Sequence, residues 1–398
     1  MGPLSGLRIL DLATLIAGPL SSTLLADLGA EVLKIELPSG SDSLRTLPPF
    51  KDGVPLWWKV TNRNKRGITL DVRTAEGREI FLDLVARHDV LVENFRTGTM
   101  DKWGLDAATL RAVNPKLTVL RVTGFGQTGP DKSRPGFARM FEALSGYTYI
   151  SGPEDRPPSY NGYPIGDAVA GLFGALGILS ALLQLRSGPG YRAQGQDIDL
   201  SATEAMFRLL EFLPIEYDQL GVVRERNGNT SAYAAPVNTY KTLDDKWVSL
   251  HASAQPMWER LAALMGKPQL IASAEFADNE NRVKNRHKLN AMVEEWVRGM
   301  PYDALSQALT GADIAHCPIY SIADIFKDPQ VVARESIIQI EDRSLGSVKM
   351  QGVVPRFEKT PGAVRATGPN LGQDNTEVYA ALGIDAARME ALRESGVI

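Results

Sequence analysis

A single aspartate stands where the sequence changes from polar to continuously apolar. Asp167 lies between two small residues, Gly166 and Ala168, and residues 168–185 contain no charged side chain. The pattern predicts a buried helix beginning near Asp167, whose carboxylate would then lie at the positive end of the helix dipole, among unpaired backbone N–H groups. The small neighbours leave room for a large group to approach. A carboxylate in this position can attack a thioester and hold the acyl group as a reactive mixed anhydride.

Two simpler interpretations compete with a chemical role for this segment. Asp167 could serve only as the N-cap of the helix, because aspartate readily accepts hydrogen bonds there. The apolar stretch is also about long enough to approach a membrane span. However, Gly171, Gly174 and Gly177 recur at every third position, which lets other backbone pack closely, and Gly188-Pro189-Gly190 stops the segment. We therefore expect a core helix and no association with a membrane.

Basic and aromatic residues cluster beside two other predicted strands. Arg63-Asn64-Lys65-Arg66 lies just before one strand, Asn94-Phe95-Arg96 lies at the end of another, and Lys102 and Trp103 follow within a few residues. Parallel α/β sheets bind ligands beyond the carboxyl ends of their strands. Cations and an aromatic surface at that edge suit a ligand with several phosphates and an adenine ring. The alternative is that these charges form solvated surface.

The first turn between strand and helix carries no nucleotide-binding motif. Residues 13–19 read ATLIAGP, with one glycine, so the sequence has neither a G-x-G-x-x-G fingerprint nor a Walker-type loop here. Hydride transfer with a nicotinamide dinucleotide is therefore disfavoured. We expect no tightly bound cofactor and no metal.

The elements that would position these residues alternate between strand and helix. We predict strands at residues 7–12, 30–36, 67–72, 89–93, 117–123 and 196–200. Helices are predicted between Pro19 and Gly29 and near residues 75–87, 100–113 and 203–220. This alternation predicts an α/β fold with a doubly wound parallel sheet. A second alternation over residues 240–318 indicates a smaller domain.

Composition limits the classes of partner. The 398 residues carry a formal net charge of -4, which argues against general binding to nucleic acid or anionic membranes. One cysteine excludes an internal disulfide framework and is typical of a reducing compartment. No secretory signal is visible at the N-terminus. We expect a cytoplasmic protein.

Short motifs follow one another in a specific order over nearly the whole chain. They are AGP at 17–19, LGAEVLKIE at 28–36, NRNKR at 62–66, VENFRTG at 92–98, GFGQTGP at 124–130, GD at 166–167 and PNLGQ at 369–373. In this order and spacing the chain resembles the class III CoA-transferases, also called the CaiB/BaiF family, which include formyl-CoA, carnitine and bile-acid CoA-transferases.

The resemblance implies a role for individual residues. Asp167 matches the catalytic aspartate. The coenzyme A site would comprise Leu15, Ile16, Asn64, Lys65, Asn94, Phe95, Thr99, Lys102 and Trp103, with Arg134 as a further phosphate partner. Coenzyme A thioesters enter this picture as substrates rather than as a bound cofactor.

The resemblance also implies an architecture. Residues 1–205 and 325–398 would form a large Rossmann-like domain that binds coenzyme A, residues 225–324 a smaller α/β domain, and residues 206–224 the linker. Two chains would thread through one another as an interlocked homodimer.

The mechanism of the family supplies the expected reaction. Asp167 attacks the donor acyl-CoA, which gives an aspartyl mixed anhydride and free thiolate. The thiolate returns to form an aspartyl-CoA thioester and releases the first acid, and the acceptor carboxylate then takes coenzyme A. Backbone N–H groups near the helix start would stabilise each oxyanion. Succinyl-CoA is a candidate donor, with a small organic acid as acceptor.

Two other activities remain open. An α-methylacyl-CoA racemase would share the fold, but such enzymes have a histidine before an acid where this chain has Phe137-Ala138. A catalytically silent CoA-binding protein is favoured by Ala138, where many transferases carry an acid, and by Glu142, which often appears as glutamine. Arg139, Tyr160 and Tyr163 lie near Asp167 in sequence and are candidates for an acid-binding pocket.

Overall fold

The computed structural model describes residues 2–186 and 194–398, so the predicted stop at Gly188-Pro189-Gly190 lies outside the described residues. The chain divides into two units. The first comprises Met1–Tyr147, Asn161–Pro214 and Gln330–Ile398, and the second comprises Thr148–Tyr160 and Ile215–Pro329. Residues 148–160, which the sequence analysis assigned to the large domain, thus cluster with the second unit, and the predicted domain boundaries stay a prediction.

The secondary structure is numbered along the chain. The strands are β1 (Arg8–Asp11), β2 (Glu31–Glu36), β3 (Phe50–Lys51), β4 (Val54–Pro55), β5 (Lys65–Thr69), β6 (Val90–Glu93), β7 (Thr118–Thr123), β8 (Asp197–Ser201), β9 (Val237–Lys241), β10 (Trp247–His251), β11 (Ala315–Pro318), β12 (Ile337–Asp342) and β13 (Gly346–Gln351). The α-helices are α1 (Ala17–Asp27), α2 (Leu56–Thr61), α3 (Ala75–Ala86), α4 (Thr99–Lys102), α5 (Ala107–Val113), α6 (Ala138–Leu144), α7 (Ile165–Arg186), α8 (Ala202–Arg208), α9 (Leu213–Leu220), α10 (Gln255–Leu264), α11 (Asn279–Lys284), α12 (Arg286–Arg298), α13 (Tyr302–Gly311), α14 (Ile322–Ile325), α15 (Pro329–Ala333), α16 (Asn375–Ala381) and α17 (Ala386–Glu394).

The first unit is built on a six-stranded sheet with the order β5-β2-β1-β6-β7-β8. Every neighbouring pair of these strands is parallel. The chain winds outward from β1 in one direction and then from β6 in the other, so the order reverses between β1 and β6. This is the arrangement of a Rossmann-like doubly wound fold and confirms the predicted α/β class. Ligands of such folds bind beyond the carboxyl ends of the two strands at the reversal.

Helices cover both faces of this sheet because its strands are apolar on both sides. On one face, Leu10, Leu33 and Phe81 are buried together with Leu392 and Ile398 near the C-terminus. Residues from both ends of the chain therefore form this part of the core. On the other face, α1 and α7 pack against the sheet.

The close contact between α1 and α7 depends on glycine. A Cβ atom at Gly174 would lie 2.2 Å from Ser21 Oγ, and one at Gly171 would lie 2.9 Å from the side chain of Leu20. Among the described helices, α7 is the one that is long and apolar enough to cross a membrane by length and composition, a test that core helices also pass. One face of α7 packs on α1 and β7, as in a core helix, whereas Leu172 and Leu176 on another face are exposed. The cytoplasmic location stays a prediction.

The second unit has its own core. Strands β9, β10 and β11 form an antiparallel sheet. Trp258 of α10 and Leu289 of α12 are fully buried beside it. The guanidinium of Arg282 is buried as well and donates to the carbonyl oxygens of Ala235 and Ser253 at 2.9 and 2.8 Å. The unit therefore has an α/β core of its own, and that it forms a separate domain stays a prediction.

Two predicted helices are each divided in the structure. The helix expected at residues 100–113 ends at Lys102, because Gly104 turns the chain with a φ of 70°. Asp106 then caps α5 by accepting hydrogen bonds from the N–H groups of Ala108 and Thr109. The helix expected at residues 203–220 becomes α8 and α9, with Glu211 between them at a φ of 28°. Helical periodicity continues across both breaks, so the pattern alone does not reveal them.

Candidate active site

The loop after β1 is fixed to the loop after β6 at the point where the strand order reverses. The side chain of Asn94 accepts a hydrogen bond from Thr14 N at 2.8 Å and donates one to Thr14 O at 2.7 Å. Leu15 adopts a left-handed conformation with a φ of 63°, and its N–H donates to Asp42 Oδ1 at 2.9 Å. A non-glycine residue in this conformation is strained and persists only where its surroundings determine it. The loop is therefore held in one shape.

A buried network of four charges lies beneath this loop. Lys65 Nζ is 2.7 Å from Asp11 Oδ2, and Lys34 Nζ is 3.7 Å from Asp11 Oδ1 and 3.2 Å from Asp42 Oδ2, with all four side chains fully buried. Lys34 also donates to the carbonyl oxygen of Ala13. Burial alone would raise the pKa of Asp11, but the ammonium groups of Lys34 and Lys65 outweigh it and lower that pKa. The network is internally neutral and fixes the loop from below.

Two residues predicted to bind coenzyme A have other partners in this structure. The ammonium of Lys65 is surrounded by Asp11, Asn62 Oδ1 at 2.9 Å and a backbone carbonyl. The amide of Asn64 donates to Asp27 Oδ1 at 2.8 Å. Neither residue is among the described residues that line the cavity beside Asp167. The structure therefore does not bring these two side chains to the site, because the fold itself uses their polar atoms.

Asp167 is the third residue of α7 rather than its N-cap, so the capping interpretation is wrong. No hydrogen bond or ion pair to its carboxylate is formed within residues 2–186 and 194–398. Burial, followed by the nearby carboxylate of Glu142, raises the pKa of Asp167 to about 6. The predicted nucleophile is thus a half-buried, unpaired carboxylate that is more basic than usual.

The expected oxyanion donors at the start of α7 are already engaged. Gly166 N donates to Glu142 Oε1 at 3.2 Å, and Ile165 N donates to Tyr163 O at 2.9 Å. These two N–H groups are therefore not available to an oxyanion in the arrangement described.

Asp167 faces a cavity of about 240 Å³ in the first unit. The cavity joins the two loops at the strand-order reversal to the start of α7. Its lining includes the predicted residues Leu15, Ile16, Asn94, Phe95 and Arg134, together with Thr14, Arg96, Lys132, Phe137 and Phe141. Three cations and one carboxylate thus border one space. No histidine is among the described residues of this lining, so the cavity offers no imidazole base for racemisation.

The other predicted residues lie outside this lining. Trp103 packs edge-on against Phe95 with ring centroids 4.9 Å apart, and so supports a residue of the cavity. Thr99 and Lys102 begin and end α4 in the same segment, and Lys102 is exposed. Their predicted contact with coenzyme A stays a prediction.

The three residues predicted for an acid pocket do not all belong to one unit, since Tyr160 belongs to the second. In the first unit, Arg139 is exposed on α6 and does not line the cavity. Tyr163 is half-exposed, and partial burial together with the carboxylate of Asp167 raises its pKa. Within the first unit, Tyr163 rather than Arg139 is therefore the residue that the structure brings near Asp167.

Some residues of the site escaped the sequence analysis. Lys132 lines the cavity from the loop that also carries Arg134, and only its place in a short basic run could have indicated it. Lys34 gave a clearer signal, because a lysine in the middle of an apolar strand must find a partner when it is buried.

Known proteins resemble this chain in sequence and in fold. The sequence profile of CoA-transferase family III matches residues 4–375. A succinyl-CoA--D-citramalate CoA-transferase from Chloroflexus aurantiacus is 41% identical, with 98% of each chain covered. The alpha subunit of a succinyl-CoA--L-malate CoA-transferase from the same organism is 39% identical over 100% of this chain and 92% of its own. A crystal structure of a CaiB/BaiF family protein from Brucella suis matches with a TM-score of 0.85 at 34% identity, covering 96% of this chain and 99% of that one.

Proposed function

This chain belongs to CoA-transferase family III, and we propose on that basis that it moves coenzyme A from succinyl-CoA to a small hydroxy-dicarboxylic acid, with Asp167 as covalent nucleophile. It is a CoA-transferase by family. Both relatives named above use succinyl-CoA, with citramalate and malate as their acids. These acids share a second carboxylate and a hydroxyl group, which defines the class of acceptor proposed here.

One observation carries the proposal: an unpaired, basic carboxylate faces a cavity bordered by cations. Asp167 has no counter-ion among the described residues, whereas Arg96, Lys132 and Arg134 line the same space. Arg134 pairs with Asp131 at 3.1 Å, but Arg96 and Lys132 form no ion pair within the described chain, so a ligand would bring the anions that these two cations bind. Coenzyme A supplies phosphates, and a dicarboxylic acid supplies a carboxylate that takes no part in the reaction. Both substrates of the proposed exchange meet this requirement.

The first half of the reaction forms the anhydride. A carboxylate oxygen of Asp167 attacks the thioester carbonyl of succinyl-CoA, the C–S bond breaks, and the thiolate leaves with the electron pair. No proton is transferred, which is why the site needs no general base. The thiolate then attacks the aspartyl carbonyl and expels succinate, so coenzyme A becomes bound to Asp167 as a thioester.

The second half reverses these steps with the acceptor. The acceptor carboxylate attacks the aspartyl thioester and forms a second anhydride, and the thiolate returns to the acceptor acyl carbon. This regenerates Asp167 as a free carboxylate. Water must be excluded throughout, because both kinds of intermediate hydrolyse. The small cavity and the buried ring of Phe141 in its lining favour that exclusion.

A homodimer forms part of the proposal, and the exposed face of α7 supports it. Leu172 and Leu176 follow one another at helical spacing and are each 58% exposed, and Phe207 of α8 is 49% exposed. Clustered apolar side chains of this size usually mark an interface. A second copy of the chain is the occupant that the family resemblance favours. Sedimentation of the wild type and of Leu176→Asp tests this: the wild type should behave as a dimer and the variant should dissociate or fail to assemble.

The choice of acceptor is tested by competition. The enzyme is incubated with succinyl-CoA and an equimolar mixture of citramalate, malate, acetate and lactate, and the new thioesters are measured by mass spectrometry. We expect citramalyl-CoA and malyl-CoA to dominate, because only these acids have a second carboxylate for the cations of the cavity. Equal yields from lactate would contradict the proposed acceptor class without affecting the CoA-transferase assignment.

A further inference from the structure

Glu142 is a buried carboxylate that the reaction scheme does not use. It lies on α6 with 1% of its surface exposed, and no cation of the described chain pairs with it. The one hydrogen bond that its carboxylate accepts from a described donor comes from Gly166 N at 3.2 Å, directly beside Asp167. An ionised group buried without a counter-ion lowers stability, so its presence beside a reactive residue points to a function.

The local packing brings Glu142 close to the nucleophile. A Cβ atom at Gly166 would lie 3.0 Å from Ala138 O and 3.4 Å from Glu142 Cγ, so glycine at this position lets α6 approach the first turn of α7. The hydrogen bond from Gly166 N then fixes the turn from which Asp167 projects. This hydrogen bond links the side chain of Glu142 to the backbone directly beside Asp167.

We propose that Glu142 is a positioning residue that fixes the first turn of α7 and, through its negative charge, makes the carboxylate of Asp167 a stronger nucleophile and a poorer leaving group. This inference rests on the proposed role of Asp167. The raised pKa of Asp167, caused first by burial and then by Glu142, agrees with it.

The charge on Glu142 acts against a background of other ionisable groups. Asp167 is faced by Glu142 from α6 and by Tyr163 from the segment before α7, and the cavity lining adds Arg96, Lys132 and Arg134. Glu142 opposes the ionised form of Asp167 and, after burial, is the group that raises its pKa. Glu142 is the carboxylate among the groups that face Asp167, so replacing it with a neutral residue should lower the pKa of Asp167.

A more basic aspartate directs the collapse of the anhydride. The anhydride has two carbonyl carbons. Attack of the thiolate on one of them expels the carboxylate that contains the other. Attack on the aspartyl carbonyl breaks its bond to the bridging oxygen and releases the free acid. Attack on the acyl carbonyl releases Asp167 and restores the donor. Since the weaker base leaves more readily, Glu142 favours release of the acid and formation of the aspartyl thioester in the first half of the reaction, and it opposes the release of Asp167 that ends the second half.

The experiment compares Glu142→Gln with the wild type over pH 4.5 to 8.5. Glutamine keeps the size of the side chain and an acceptor for Gly166 N, but removes the charge. We expect the acidic limb of the kcat/KM profile for succinyl-CoA to move down by about one pH unit and kcat/KM at pH 7.5 to fall about three- to tenfold. Exchange of labelled succinate into succinyl-CoA should fall in parallel, because a less basic Asp167 attacks succinyl-CoA more slowly.

Two further variants make the result specific. Glu142→Asp keeps the charge and should keep the limb near that of the wild type, even where kcat/KM falls. Glu79→Gln removes the same charge from an exposed position on α3 and should leave both limb and kcat/KM unchanged. An unshifted limb in folded Glu142→Gln would overturn this inference alone. Full activity in Asp167→Asn would instead overturn the proposed function, so the two failures are distinguishable.

Discussion

Two aspartates at the same edge of the sheet have opposite environments. Asp11, at the end of β1, is fully buried between Lys34 and Lys65, and their charges hold its pKa below the usual value against the effect of burial. Asp167, at the start of α7, has no cationic partner within the described chain, and burial together with Glu142 raises its pKa to about 6. Both side chains lie close to the first βα loop.

The difference separates a structural charge from a chemical one. The negative charge of Asp11 is neutralised and serves to hold the Leu15 loop in a strained conformation. The negative charge of Asp167 is left uncompensated, which lowers stability but keeps the oxygen atoms available to a substrate. Residue type and proximity to the cavity do not distinguish Asp11 from Asp167. The charged groups around each carboxylate do distinguish them.

The largest expected effect separates them by activity. Asp167→Asn should lower kcat at least a thousandfold, because the amide oxygen cannot form an anhydride. Initial rates of succinyl-CoA consumption with citramalate or malate provide the measurement. Asp83→Asn, a matched change at an exposed position on α3, should retain the wild-type rate.

The second effect separates them by stability. Asp11→Asn should lower the free energy of unfolding by about 3 to 5 kcal/mol, because it leaves the buried ammonium of Lys65 without an ion-pair partner and Lys34 with Asp42 alone. Urea denaturation measures this loss. Adding Lys65→Met to Asp11→Asn removes the unpaired ammonium group, so the double variant should be more stable than the sum of the single changes predicts. Strict additivity would mean that the two side chains do not act as a pair.

The third effect concerns pH. Asp167 must be ionised to attack, so kcat/KM for succinyl-CoA should fall as pH decreases through about 6, approaching a tenfold loss for each further unit. The free carboxyl group of succinyl-CoA titrates well below this value, so the limb reports the enzyme. A kcat/KM that stays level down to pH 4.5 would show that the pKa of Asp167 is not raised.

The smallest effect is a gain of stability in the inactive variant. A carboxyl group whose folded pKa is raised destabilises the native state above that pKa, and the cost disappears below the unfolded value of 3.8. The free energy of unfolding of Asp167→Asn should therefore be about 1 to 3 kcal/mol higher than that of the wild type at pH 7.5. The two proteins should converge towards pH 4, provided that the comparison is made by denaturant titration at each pH.

The sequence predicted the features that depend on local pattern. The alternation of short apolar strands with helices gives the doubly wound sheet, and the charge-free stretch after Asp167 gives α7. Both follow from periodicity and composition, which a single sequence contains. The motifs added the family, and the comparisons confirm it.

Features that depend on long-range pairing could not be predicted in this way. Lys65 stands in a basic run that resembles a phosphate site, yet it pairs with Asp11, fifty-four positions earlier in the chain. Glu142 stood out in the sequence only as a departure from the glutamine of similar transferases, and only the packing of α6 on α7 brings it to Asp167. The predicted start of α7 differed by three residues, which moved Asp167 from a cap into the first turn. In each case the partner is distant in sequence, and the chemistry of the side chain depends on that partner.

Trapping the acyl group on Asp167 is the most direct test of this account. The enzyme is incubated with succinyl-CoA and hydroxylamine, digested, and analysed by peptide mass spectrometry. We predict a hydroxamate on the peptide that contains Gly166-Asp167-Ala168, and none when succinyl-CoA is omitted. Turnover of succinyl-CoA accompanied by an unmodified Asp167 peptide would contradict the covalent role on which the whole account depends.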